Sequence, residues 1–188
     1  MFEVLYPIAA MILVSSSAIA GALISFFTKL EMETYEKTIS KWSFFAGAAL
    51  LIFVAAMTFN AGYIIALVIG LAFGWLGAKK ESSLVGWAFF GVFAGSLFAF
   101  DARAGFLAAA LMVVFVFLRS TALNIPFVLK KKKFVKIRLF EQAIFLAFAV
   151  TFYFVMGITA SYAGAAVTYV AIGALSWMFW KEAVTSYF

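Results

Sequence analysis

The sequence predicts an all-α integral membrane protein, a compact bundle of seven transmembrane helices in a single domain spanning residues 1–188. Three observations predict it. Of the 188 residues, 67% are hydrophobic and only 12% are charged, with a mean hydropathy of +1.12. A soluble domain runs nearer half apolar and a quarter charged, so this chain lacks the polar surface to cover so large a core. The apolarity is continuous on all faces of each segment, with no period-two alternation, which selects helices over barrel strands. Finally, the cations gather between alternate apolar segments, as the positive-inside rule requires of a polytopic protein.

A helix needs about 20 apolar residues to cross the hydrocarbon core. Seven segments meet or approach that length: 4–27, 43–59, 62–77, 83–100, 104–128, 139–158 and 163–180. The first carries Ala18-Ile19-Ala20, which resembles a signal-peptidase site, but only Glu3 and no Lys or Arg precedes it. The basic region of a signal peptide is missing, so the segment is expected to stay as the first transmembrane helix.

Between the first two spans, Met32, Tyr35, Ile39 and Trp42 fall on one helical face, while Glu33, Lys37 and Lys41 repeat every four residues on another. This pattern predicts an amphipathic helix on the membrane surface, or a cytoplasmic extension of the second span. Spans three and four carry Gly70-x-x-x-Gly74 and Gly91-x-x-x-Gly95, and span one carries Ala18-x-x-x-Ala22 with Gly21 and Ser25 beside it. Small residues four apart let helix backbones approach closely; packing within the bundle is expected ahead of dimerisation.

The fifth span contains Arg119 and then Asn124-Ile125-Pro126. Pro removes a backbone donor and disfavours helix in the residue before it, so the span is expected to end near Leu123, leaving Arg119 one turn from the interface, where it can snorkel. If the helix instead runs on to Leu129, Arg119 lies about 15 Å inside its cytoplasmic end and needs a partner. Glu141, at the inner start of span six, is the expected partner in either case, with Gln142 able to add a hydrogen bond.

The net charge of +6 comes from 14 basic and 8 acidic residues, and all of the excess equals the content of 130–138. That stretch holds Lys130, Lys131, Lys132, Lys133, Lys136 and Arg138 and no acid. On a seven-span topology twelve cations lie on one side and only Arg103 on the other, which puts the N-terminus outside and the C-terminus in the cytoplasm. The expected location is the plasma membrane. A basic cluster beside a span reads as contact with anionic lipid headgroups, at about 1 kcal/mol per cation near the surface, or with an acidic cytoplasmic partner, and membrane-protein partners are further candidates. Simple enforcement of topology explains it as well. Nucleic acid is not an expected partner, because the patch is small and tied to the membrane.

The layout also suggests a parallel 3+1+3 repeat, with spans 1–3 echoed by 5–7 and the fourth as linker. Ala78-Lys79-Lys80-Glu81 rhymes with Trp180-Lys181-Glu182-Ala183.

There is no Cys and no His. Disulfides, thiolate nucleophiles, iron–sulfur ligation, bis-His haem, the usual zinc and copper sites and Ser–His–Asp catalysis are therefore excluded, and no metal or cofactor is expected. An enzyme would have only Asp, Glu, Lys, Tyr and Ser to work with, and the chain has no phosphate-binding Gly-rich loop, no Asp-rich motif of headgroup transferases and no interior Lys in the last span. The leading expectation is a transporter or channel-like bundle for a small solute or ion. Its candidate intramembrane pathway residues are Arg119, Glu141, Asn124, Ser15 and Ser16, because burying ionisable groups in lipid is costly and signals use. Asp101 and Arg103 form a candidate outer mouth, near Asn60, Tyr162 and Glu3 if the exterior ends converge; a solvated turn capping the fifth helix is the plainer account. The competing expectation is a non-catalytic membrane subunit that anchors a larger assembly. A lipid-modifying enzyme is third.

Overall fold

The computed structural model describes the backbone of residues 2–58, 60–78, 83–129, 134–158 and 161–187. It is all helical over that range: α1 (Phe2–Phe27), α2 (Lys29–Thr58), a short 3₁₀ turn (Ala61–Tyr63), α3 (Ile64–Ala78), α4 (Ser83–Phe100), α5 (Ala102–Leu129), α6 (Phe134–Ile158) and α7 (Ser161–Tyr187). Five of these are long and apolar enough to cross a membrane; Ile64–Gly77 and Leu84–Phe100 are shorter apolar helices. The protein is a membrane-embedded seven-helix bundle.

Of the two forms expected for the stretch before the second span, the structure has the extension of that span: α2 starts at Lys29 after a single turn residue, Thr28, and is continuous to Thr58. Good helix formers along the stretch carry the helix on, and Tyr35 and Trp42 are exposed on its flank. The fifth span departs from the sequence expectation: it does not stop near Leu123. α5 runs unbroken through Pro126 to Leu129. The proline costs one backbone hydrogen bond, which a packed membrane helix tolerates. Arg119 therefore sits about 15 Å before the helix end.

α4 lies deepest, packed along α6 and α7, while α1 and α2 pack on α5 and α3 packs on α7. Three parallel pairs are drawn together by the small-residue motifs. A methyl group on Gly91 would lie 2.5 Å from the Phe145 carbonyl oxygen, and one on Gly95 would strike the Ala149 carbonyl, so α4 meets α6 backbone to backbone. Gly70 and Gly74 of α3 meet the Val170 and Ala174 carbonyls of α7 in the same way, and Gly21 of α1 meets Phe117 and Thr121 of α5. All three motifs serve packing within the chain. Without a hydrophobic drive between helices in lipid, such close approach supplies the dispersion contacts that hold a bundle together.

The first and last triplets pair with each other, α1 on α5 and α3 on α7. Gly21 faces Thr121, Gly70 faces Val170 and Gly74 faces Ala174, always one hundred positions on. α4 breaks this correspondence, since it packs on α6 and α7 without matching contacts to α2 and α3.

Candidate functional site

Antiparallel alternation brings the ends of α2, α4 and α7 and the 3₁₀ turn to the same end of the bundle, the one the charge distribution predicts to be the outer end. There they enclose a predominantly polar cleft of about 380 Å³, lined among others by Thr58, Asn60, Tyr63, Phe100, Asp101 and Tyr162. Local hydrogen bonds fix its rim. Asp101 precedes α5, and its Oδ1 accepts from the Ala104 backbone N–H at 3.0 Å, a capping bond that leaves its second oxygen uncommitted to the helix. Asn60 Oδ1 accepts from the Gly62 N–H at 2.9 Å, which turns the chain from α2 towards α3. The Tyr63 ring stacks on that of Tyr169, centroids 5.2 Å apart and planes 27° from parallel.

Two pairs of buried hydroxyls lie on these helices, one between α2 and α7 and one between α4 and α7. Thr58 donates to the Val54 carbonyl at 2.8 Å and lies 3.3 Å from the Tyr169 hydroxyl, which approaches the Ala55 carbonyl at 3.5 Å. In the second pair, Thr168 and Ser96 meet at 2.9 Å, both fully buried. Each also bonds its own helix: Thr168 donates to Gly164 at 2.8 Å and Ser96 to Val92 at 2.7 Å.

The middle of the bundle is filled by rings. Phe90 stacks on Phe145 with centroids 5.5 Å apart and meets Phe115 edge-on at the same distance; Phe115 in turn meets Phe179 at 5.2 Å, and Trp87 flanks Phe145 at 6.4 Å. Phe93 and Phe145 have no exposed surface. This plug separates the outer hydroxyls from the polar residues at the inner end of α6.

At that inner end Glu141 is 1% exposed and Gln142 is 3% exposed. Both Oε1 and Nε2 of Gln142 are without a hydrogen-bond partner among the described residues. Arg119 is half-buried on α5, and neither it nor Glu141 is without an interaction partner. A buried amide without a hydrogen-bond partner carries a cost of about 1–3 kcal/mol.

Of the remaining predicted residues, Ser15 is buried in α1. Ser16 points to the α1–α5 groove, an apolar cleft of about 410 Å³, and donates to its own helix at Leu13, 2.9 Å away. Arg103 is exposed on the first turn of α5 and is not among the residues lining the outer cleft. The side chains of Asn124, Lys136 and Arg138, and all of Lys130, Lys131, Lys132 and Lys133, lie outside the described residues. Asn60, Tyr162 and Asp101 line one cleft, whereas the side chain of Glu3, expected beside them, lies outside the described residues. Tyr63, Tyr169 and Thr58 were not legible as site residues, because a tyrosine or threonine near a helix end looks the same whether it faces lipid or a neighbour. The closely spaced Thr58-x-Asn60 and Tyr63 around a tight turn were the only available signal.

Compared with protein-family models, with curated proteins and with solved structures, the chain matches none.

Proposed function

We propose that the bundle moves a small solute or ion across the plasma membrane, taking it up at the outer cleft. The observation that carries this reading is the polar cleft at one end of the bundle, with two buried hydroxyl pairs, Thr58–Tyr169 and Thr168–Ser96, on the helices that form it. A concave site with a few convergent polar groups is where a small ligand binds. Arg119, Glu141, Asn124 and Gln142 form the inner station of the path, with Ser15 and Ser16 as further hydroxyls on α1. In the described conformation the Phe90–Phe115–Phe145 cluster closes the middle, so transport requires these rings to part. The basic segment Lys130–Lys133, Lys136 and Arg138 holds the cytoplasmic end against anionic headgroups.

One observation favours a second reading. The same aromatic filling makes a solid centre, which suits a non-catalytic subunit that anchors a larger membrane assembly. Two measurements separate the readings. Purified protein in proteoliposomes, on a solid-supported membrane, is exposed to jumps of sodium, potassium, protons and choline. Transport predicts a transient current or uptake that Arg119→Ala reduces. Silence in that assay, with stoichiometric partners retained when the native protein is extracted in mild detergent, overturns it.

A further inference from the structure

The residues lining the outer cleft include three aromatic side chains, Tyr63, Phe100 and Tyr162, and one carboxylate, Asp101; among the described residues no other charged side chain lines it. We infer that the cleft is a binding site for a small organic ammonium group. The inference rests on the outer cleft being the protein's ligand site, as proposed above, and names the class of ligand.

The chemistry excludes the alternatives one by one. An anion would meet the Asp101 carboxylate with no cation in the wall. A divalent metal wants six or more oxygen ligands, and among the described residues no three carboxylates, His or Cys cluster anywhere. An ammonium with methyl or methylene substituents is weakly hydrated, and ring faces attract it through their quadrupoles. A carboxylate at the rim supplies the counter-charge. The site is also preorganised. Tyr63 is backed by Tyr169, whose hydroxyl is held by Thr58, and Asp101 is fixed by its bond to the Ala104 N–H. Asn60 spends its carbonyl on Gly62, which leaves its amide hydrogens for a hydroxyl or carbonyl on the ligand. The volume of about 380 Å³ falls in the range usual for small-ligand sites.

The ammonium can come from either of two sources, a free solute or a lipid headgroup, since the cleft opens at the outer membrane surface. The test uses the full chain in nanodiscs of phosphatidylglycerol, which carries no ammonium, titrated calorimetrically with choline, tetramethylammonium and the neutral isostere 3,3-dimethylbutan-1-ol. Saturable binding of both cations and not of the alcohol is expected. Asp101→Asn, which keeps the helix cap because Asn caps equally well, weakens binding about tenfold or more. Tyr162→Leu, at an exposed position, weakens it about threefold. Equal binding of the alcohol, no binding of either cation, or an unchanged affinity in Asp101→Asn overturns the inference. Competition by phosphatidylcholine placed in the disc supports it with a headgroup as source; no competition supports it with a free solute. Binding without vesicle uptake leaves the ammonium site standing and removes transport, whereas uptake of another solute without ammonium binding does the reverse.

Discussion

Thr168 shares its single hydroxyl hydrogen between the Gly164 carbonyl of its own helix at 2.8 Å and the Ser96 oxygen of α4 at 2.9 Å. Ser96 spends its own hydrogen on Val92, so it meets Thr168 purely as an acceptor. This is a chain of hydroxyls with one direction, and it ties the deepest helix to α7.

Because each hydroxyl has an alternative partner on its own helix, the interhelical bond is worth little alone. Thr168→Val is expected to lower stability by about 0.6 kcal/mol, and by no more than about 1.7, read as a shift in the unfolding midpoint in mild detergent. A loss of several kcal/mol would mean that the pair holds α4 in place single-handed.

Glycine positions differ sharply in what they accept. Gly95→Leu drives a side chain into the Ala149 backbone of α6 and is expected to cost about 3 kcal/mol or more. At Gly157 of α6 an added methyl group would meet nothing within 4 Å, so Gly157→Ala is neutral or stabilising by up to about 1 kcal/mol. Detergent thermostability of the two variants, measured side by side, checks the contrast.

Gln142→Leu replaces an unbonded buried amide with an apolar side chain of similar length. Stability should rise by about 1–3 kcal/mol. If the inner end of α6 belongs to a solute path, uptake falls as stability rises, the exchange expected where function holds a strained group in place. A more stable protein with unchanged uptake would remove Gln142 from the path.

Arg119 and Glu141 offer a double-mutant test. If they act as a pair, as proposed, Arg119→Ala and Glu141→Ala together cost less than the sum of the single changes, with a coupling of about 1–3 kcal/mol. Additive effects would show that each answers to a different group.

Much of this arrangement was legible in the residues, and the rest was hidden for identifiable reasons. Seven helices could be counted because lipid forces every span to be apolar on all faces, a signal that survives without homologues. Their ends were harder to place, because a helix does not stop at the membrane surface: the start of α2 at Lys29 was legible only as one of two forms for the stretch before Ser43, and α7 continues to Tyr187 rather than Trp180. Pro126 misled for a related reason. A local preference against helix is small beside the packing of a long helix on its neighbours. At the outer site Asp101, Asn60 and Tyr162 converge because topology alone brings them to one end. The stacking of Tyr63 on Tyr169 depends on the register between α2, the turn and α7, which no single stretch of sequence encodes.

The absence of Cys makes orientation easy to measure, since the chain is its own cysteine-free background. Arg103→Cys should react with an impermeant maleimide added to intact cells, and Lys37→Cys only after permeabilisation. The opposite pattern would invert the bundle.

The helix pairings also constrain how the protein is made. α1 and α2 rest on α5, α3 rests on α7, and α4 rests on α6 and α7, while α1 and α2 scarcely touch each other. A ribosome that has released only the first four helices has therefore produced none of the principal interfaces. Until α5–α7 arrive, Gly70, Gly74, Gly91 and Gly95 present open backbone notches to lipid or to whatever insertion chaperone shields them. The principal interfaces form late, as α5, then α6, then α7 supply the partners of the first four helices, and a chain truncated after α4 would lack all of them.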